Sequence, residues 1–393
     1  MSVIPEIERF ADELTAIRHD LHAHPELGFE ETRTAGIVAS HLRDYGVDEV
    51  HEGLGGTGVV GLIGGRDGGR AGGRRVGLRA DMDALPIEEA SGVPFASTHP
   101  GRMHACGHDG HTTMLLGAAR HLAATREFDG SVALIFQPAE EGLGGARRMI
   151  AEGLFERFPC DEIYGMHNDP NAEPGTVTVT PGTAMAGAAF FDITVRGVGS
   201  HAAMPQQSRD AIVIGTALVQ QLQGVVSRNV PPTKPIVLSV TTFNAGSAYN
   251  VLPETATITG TIRYFEDEVI ELAERRVGEL CAGLAAAHGV MIDVEFRNVF
   301  DVLRNDPALS SAYIEAAREV VGADGAVETT DLMTGSEDFA DMLKLVPGAY
   351  CRVGHAGSIP LHNPAFVLDD RILPVGASIY VRMAEARLSG AAP

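Results

Sequence analysis

No apolar run in this chain of 393 residues approaches the ~20 residues that a helix needs to cross a bilayer, so the sequence contains no membrane-spanning helix. The first residues, Met1-Ser-Val-Ile-Pro-Glu-Ile-Glu, have neither the basic start nor the apolar centre of an export signal. Cysteine is scarce. Cys106, Cys160, Cys281 and Cys351 stand far apart, without the density or spacing of a disulfide scaffold. These absences together predict a cytoplasmic protein with reduced thiols. Basic residues are also few, 30 Lys and Arg against 52 Asp and Glu, and the formal charge of −22 repels phosphate backbones and anionic lipid heads. Nucleic acid and membrane surfaces are thereby disfavoured as partners, and positive charge at a site has to come from a metal or from single arginines. Several motifs are missing as well. The glycine-rich stretch Gly64 to Arg75 carries no P-loop Gly-Lys-Ser/Thr and no dinucleotide fingerprint, and it reads as a hairpin loop. No Gly-x-Ser-x-Gly elbow offers a serine nucleophile.

What is present suits a globular enzyme. Hydrophobic residues make up 45% and charged residues 21%, far from the composition of a disordered chain, and the length exceeds what one core usually serves. Apolar residues at helical spacing mark Ile4 to His22 and Thr32 to Tyr45 as amphipathic helices, with Pro25 and Gly28 between them. Short strand-like runs then alternate with helices: Val76 to Arg79, His111 to Ala124, Val132 to Phe136, Gly144 to Glu152. This order predicts an α/β domain with a mixed central sheet flanked by helices. After Pro181 the pattern changes to strand Phe190 to Val195, helix Asp210 to Gln223, strands Ile236 to Phe243 and Thr255 to Arg263, helix Glu266 to His288 and strand Met291 to Phe296. That is βαββαβ, a ferredoxin-like unit. Chemistry-bearing motifs resume beyond it, so it reads as an insertion: residues 1–183 and 299–393 form a discontinuous catalytic domain, and 184–298 an inserted domain.

The densest chemistry lies in Met103-His-Ala-Cys-Gly-His-Asp-Gly-His-Thr-Thr-Met114, which packs one thiol, three imidazoles and a carboxylate into a dozen residues. Glycines at 107 and 110 leave the backbone free to turn Cys106 and His108 onto one centre, a donor set suited to Zn²⁺ or another borderline divalent ion. Gln137-Pro-Ala-Glu-Glu-Gly142, Gly165-Met-His-Asn168 and Leu361-His-Asn-Pro-Ala-Phe366 add carboxylate and imidazole donors, and Asp81, Glu141 and His167 each follow a strand-like run, where open sheets collect ligands. Glu140 and Glu141 are adjacent, so in an extended or loop backbone their side chains diverge, one toward metal and one toward substrate. A metal acidifies a bound water, and a neighbouring carboxylate can take its proton and pass it to a leaving amine. Cys106 as a thiolate can bridge two ions.

These residues resemble the dinuclear metal-dependent amidohydrolases that include hippurate hydrolases, N-acyl-amino-acid amidohydrolases and auxin-conjugate hydrolases, relatives of aminoacylase and the glutamate-releasing carboxypeptidases. Seven motifs in order carry the resemblance over nearly the whole chain: Arg79-Ala-Asp-Met-Asp-Ala-Leu-Pro-Ile87, His104 to His111, Gln137 to Gly142, Gly199-Ser-His-Ala-Ala-Met-Pro205, Asn250-Val-Leu-Pro253, Gly335-Ser-Glu-Asp-Phe339 and Leu361 to Phe366. It implies two divalent ions (Zn, Mn, Co or Ni) bridged by Cys106, with His108 and His167 completing one site and Glu141 and His362 the other. It further implies Glu140 as general base and acid, Asn250 and Arg263 on the substrate's carboxylate, and Asp83 orienting a ligand rather than binding metal. The inserted domain is expected to dimerise, giving a homodimer or homotetramer, and His201 to polarise the scissile carbonyl in the partner's active site.

The expected reaction is hydrolysis of a small N-acyl amino acid of hippurate or N-acetyl type by a metal-activated water. Deacetylation of N-acetyl-diaminopimelate or N-acetyl-cysteine, or dipeptidase action, is the alternative, and a catalytically silent ligand-binding homologue the non-enzyme alternative. Two departures matter. Related peptidase branches carry His at the position of Asp81 and Asp at that of Cys106, and many relatives have a further His where Gln206 and Gln207 stand here.

Overall fold

The computed structural model describes residues 2–66 and 73–389. The chain divides into two compact units, one made of Met1–Ala184, Arg304–Asp331 and Asp338–Pro393, the other of Met185–Leu303 and Leu332–Glu337.

The first unit is built on an eight-stranded mixed sheet in the order Glu49–Leu54, Gly58–Gly64, Ser131–Gln137, Arg75–Asp81, Glu162–Asp169, Gly348–Gly354, Val177–Val179, Ala326–Glu328. Its four middle strands run parallel. Residues of Ser131–Gln137 are buried throughout, as expected of a strand covered on both faces. The helix His108–Thr125 is buried along nearly its whole length and packs on the long C-terminal helix Leu373–Leu388. Helices also cover Ala11–Ala23 and Thr32–Asp44; the segment Ile4 to His22, expected as one helix, is split at Arg9 and Phe10 into Pro5–Glu8 and Ala11–Ala23.

One expectation fails. Gly58–Gly64 and Arg75–Asp81 are not hairpin partners, because Ser131–Gln137 lies between them, antiparallel to the first and parallel to the second. Strand pairing at long range overrides the local reading of a glycine-rich linker as a tight return. Residues 67–72 of that linker lie outside the described residues.

The second unit has the predicted βαββαβ order. Strands Gly187–Arg196, Ile236–Ala245, Thr255–Tyr264 and Met291–Phe300 and helices Ala211–Gly224 and Asp267–His288 form it. The four strands make one antiparallel sheet with Gly187–Arg196 and Thr255–Tyr264 at its centre. Its core gathers Phe191, Ile193, Leu218, Ile258, Ile262 and Val277. Asp210 caps the first helix by accepting from Ile212 N and Val213 N. All four cysteines are free thiols. No helix among the described residues is long and apolar enough to cross a membrane.

Candidate metal centre

Parallel strands end on one edge of a sheet, and the loops beyond their carboxyl ends converge. Here Arg75–Asp81 leads to Asp83, Ser131–Gln137 leads to Glu140 and Glu141, and Glu162–Asp169 carries His167 near its end. Cys106 and His108 arrive at the start of the buried helix His108–Thr125. Gly107 between them has φ 92°, and a Cβ there would lie 2.2 Å from Asn168 Nδ2, so only glycine fits. The last donor, His362, also has a positive φ of 62°, and its N–H is fixed by Ala105 O at 2.9 Å.

Among the described residues, five groups of three donors have ligand atoms within 4.8 Å of one another, and two of them hold the expected ligands: Cys106, His108 and His167 in one, Cys106, Glu141 and His362 in the other. Cys106 belongs to both. Its Sγ is 3.3 Å from His167 Nε2, and His362 Nε2 is 3.2 Å from Glu141 Oε1. Each of the two inner imidazoles is turned by its other nitrogen. His108 Nδ1 lies 3.1 Å from Asp83 Oδ1, and His167 Nδ1 donates to Asn168 O at 2.7 Å. Both Nε2 atoms are thereby left as lone-pair donors. Asp83 also accepts Glu141 N–H on Oδ2 at 3.0 Å, so one carboxylate ties a histidine of the first triad to the backbone of the second.

The electrostatics fit a bound cation. His108 Nε2 is buried with no hydrogen-bond partner. Burial disfavours the charged form of His108, yet the charges of Asp81 and Cys106 raise its pKa well above the ordinary value. Cys106 and then Glu141 raise that of His362 to about 10. Burial and the charge of Glu141 push the Cys106 thiol up. Burial, reinforced by the charge of His111, holds His167 well below the ordinary value and so neutral. A donor set that pulls protons onto two imidazoles and resists forming a thiolate carries excess negative charge, which divalent ions would relieve.

Asp81, a candidate ligand by its place after a strand, is occupied elsewhere. Its Oδ1 is 2.6 Å from His111 Nδ1 and its Oδ2 accepts from Arg79 at 2.7 Å. Burial opposes its ionisation, but His108, His111 and Arg79 hold its carboxyl well below the usual range. His111 in turn accepts Asn168 N–H on Nε2 at 3.0 Å, so both of its ring nitrogens have hydrogen-bond partners. Asn168 donates its side-chain N–H to Cys106 O at 2.6 Å, and His355 Nε2 lies 3.0 Å from its Oδ1.

Glu140 and Glu141 diverge as expected of neighbours in a loop. Glu141 turns to His362, while the buried Glu140 accepts Asp338 N–H at 3.4 Å. Asp338 is a hub to which sequence reading assigned no role, although its motif Gly335 to Phe339 was visible. It accepts from Arg79 at 3.2 Å, Gln137 Nε2 at 2.7 Å and Ala146 N at 3.0 Å.

The remaining predicted residues lie in the second unit. His201 and Asn250 meet on a short ladder in which Ser200–His201 pairs with Val251–Leu252, and Ala202 N–H donates to Asn250 O at 3.0 Å. Both side chains are exposed. His201 Nδ1 accepts Ala203 N–H at 3.1 Å, which leaves its proton on Nε2. Arg263 is half-buried on Thr255–Tyr264, bonded to the Thr261 hydroxyl. No carboxylate among the described residues pairs with it.

The profile of Peptidase family M20/M25/M40 matches residues 77–386. The hippurate hydrolase of Campylobacter jejuni is 41% identical over 98% of this chain and 99% of its own. The N-acetylcysteine deacetylase of Bacillus subtilis is 36% identical over 95% and 97%. Among solved structures, the YXEP protein of Bacillus subtilis, described as a dinuclear metal binding peptidase of the M20 family, superposes with a TM-score of 0.83 at 33% identity, covering 97% of this chain and 99% of that one. The motifs, the fold and these similarities agree: the chain belongs to peptidase family M20/M25/M40.

Proposed function

We propose that this protein is a metal-dependent amidohydrolase that cuts N-acyl amino acids, releasing a small acyl group from an amino acid that keeps its free carboxylate. Amide hydrolysis is what the names of its hippurate hydrolase and deacetylase relatives describe, and the similar YXEP protein is described as a dinuclear metal binding peptidase of the M20 family. The observation that carries the reading is the pair of donor triads sharing Cys106, with Glu140 beside them. In this reading His108 and His167 would hold one ion and Glu141 and His362 a second, with Cys106 as a donor common to both groups. Zn²⁺ suits the thiolate, while the carboxylate and imidazoles also admit Mn²⁺, Co²⁺ or Ni²⁺. When bound, the ions supply Lewis acidity and a more acidic water.

The protein's own groups do the rest. Glu140 takes a proton from the attacking water onto a carboxylate oxygen and returns it to the leaving nitrogen. Asp83 keeps a proton on His108 Nδ1, so that Nε2 stays a donor to metal. A half-buried guanidinium without a carboxylate partner suits an anionic substrate group, and Arg263 with Asn250 takes the substrate's carboxylate. The second unit dimerises, and His201, with its proton on Nε2, polarises the scissile carbonyl in the partner's site.

A second reading, removal of acetyl from N-acetyl-cysteine or N-acetyl-diaminopimelate, is favoured by the deacetylase relative. Enzyme stripped with a chelator and refilled with each metal separates the two, with free amine measured from hippurate, N-acetyl-methionine, N-acetyl-cysteine, N-acetyl-diaminopimelate and a dipeptide. Fastest turnover of hippurate or N-acetyl-methionine, lost with the metal and regained on refilling, is expected. Preference for either of the other acetyl substrates establishes the second reading. No release from any of them by refilled protein contradicts an amidohydrolase.

A further inference from the structure

Glu31 is a fully buried carboxylate that no step above uses. It stands at the N-cap of the helix Thr32–Asp44 but makes no side-chain cap there. An acid at that position normally accepts from its own helix's first free N–H groups. Here Glu26 does so from outside, accepting Arg33 N–H at 3.0 Å and Thr34 N–H at 2.8 Å. Glu31 is thus released to point elsewhere, and it points at the loop that bears Glu140. Its Oε1 accepts Ala139 N–H at 2.8 Å and its Oε2 the Thr57 hydroxyl at 2.6 Å.

Ala139 needs holding. It has φ 54°, a left-handed conformation that a residue with a Cβ adopts only when its surroundings enforce it. The segment before Glu31 packs against the same turn, since a Cβ on Gly28 would lie 2.8 Å from Leu143 Cδ1 and 3.0 Å from Ala139 Cβ. On the far side of Glu140, Asp83 accepts Glu141 N–H at 3.0 Å. The backbone amides immediately before and after Glu140 therefore each donate to a buried carboxylate that comes from a distant part of the chain.

We propose that Glu31 is a positioning residue for Glu140, clamping the turn through Ala139 N–H as Asp83 clamps it through Glu141 N–H. The inference rests on the reading of Glu140 as the proton-transferring carboxylate. Burial raises the Glu31 pKa to about 7, against the bonds from Thr57 and Ala139 and with a contribution from Asp83. A folded protein tolerates so unfavourable a carboxyl where its acceptor atoms are needed.

Three variants test it. Glu31→Met keeps the volume and removes both acceptors, Glu31→Ala removes the side chain, and Glu31→Gln can still accept from Ala139 N–H while donating to the Thr57 hydroxyl. In Glu31→Met or Glu31→Ala, kcat should fall by about 10- to 100-fold, the effect of a misplaced catalytic group. KM should stay within about twofold and metal content should not change. Glu31→Gln should recover most of the kcat. Hydrogen exchange read by mass spectrometry on the peptide spanning Ala139 to Glu141 should quicken by about tenfold in Glu31→Met, the effect of one lost hydrogen bond, and stay slow in Glu31→Gln. Unchanged exchange in both acceptor-less variants overturns the clamp, as does a kcat loss that merely follows metal loss, or a Gln variant as impaired as Met. If wild-type enzyme releases no amine from N-acyl amino acids, the functional reading falls, and the exchange measurement still decides the clamp.

Discussion

Cys106 Sγ lies 3.3 Å from His167 Nε2 although the two residues are 61 positions apart. One reaches the centre from a helix N-terminus and the other from the carboxyl end of a strand. A thiolate held there by metal should be unreactive, because its lone pairs are engaged. Iodoacetamide at alkaline pH, where the raised thiol still ionises, should leave Cys106 unlabelled in metal-loaded protein and label it once a chelator has removed the metal. Mass spectrometry of the labelled peptide checks this, and equal labelling with and without chelator contradicts the ligand role.

The adjacent carboxylates should separate by variant. Glu140→Gln is expected to lose about 10²–10⁴-fold in turnover or more, the contribution of a general base and acid, while retaining its metal. Glu141→Gln should lose metal. Turnover and elemental analysis on the same preparations decide it: metal loss of equal extent in both variants, or wild-type turnover in Glu140→Gln, contradicts the division of labour.

The dozen residues from Met103 to Met114 were legible because several ligand types sit close together in sequence, and the inserted βαββαβ unit because its alternation survives in local pattern. The alternation also revealed that strands would carry Asp81 and His167 to one edge. It could not reveal that Asp81 is taken by His111 and Arg79, since that depends on which strands become neighbours. For the same reason the local pattern of Gly64 to Arg75 reads as a hairpin although Ser131–Gln137 lies between its flanking strands. Asp338 and Glu31 escaped because a buried acid serving distant backbone amides leaves no periodic trace. Glu31 stands directly before the helix Thr32–Asp44 without capping it.

Stability should depend on pH through His22. Its Nδ1 is 2.8 Å from Asp109 Oδ2 and its Nε2 3.2 Å from Glu89 Oε1. Burial disfavours its charge, but Asp109 and Glu89 prevail and raise its pKa to about 9 from an ordinary 6.5. A raised folded-state pKa stabilises fully below the unfolded value, so this contribution is present below about pH 6.5 and disappears as pH rises through about 9. Its size is on the order of 3 kcal/mol at most. Urea unfolding midpoints should fall from pH 6 to pH 9 more steeply in wild type than in His22→Gln. Parallel slopes would remove His22 as the source.

Completion of the active site across a dimer predicts complementation. His201→Ala should be nearly inactive through loss of one oxyanion donor, about 10²–10³-fold, and fully metal-loaded. Mixed with Glu140→Gln under subunit exchange, it should regain about a quarter of wild-type activity, since half of randomly paired dimers are mixed and each has one intact site of two. Confirmed exchange without recovery would place the action of His201 within its own chain or exclude it.

In the proposed centre Cys106 joins two ions. Anomalous diffraction from Mn²⁺- or Zn²⁺-loaded crystals measures it directly. Two peaks roughly 3.5–4 Å apart are expected, the usual spacing of a two-metal site, with Cys106 Sγ bonded to both, His108 and His167 on one and Glu141 and His362 on the other. A single peak, or two peaks of which only one is bonded to Sγ, would contradict it.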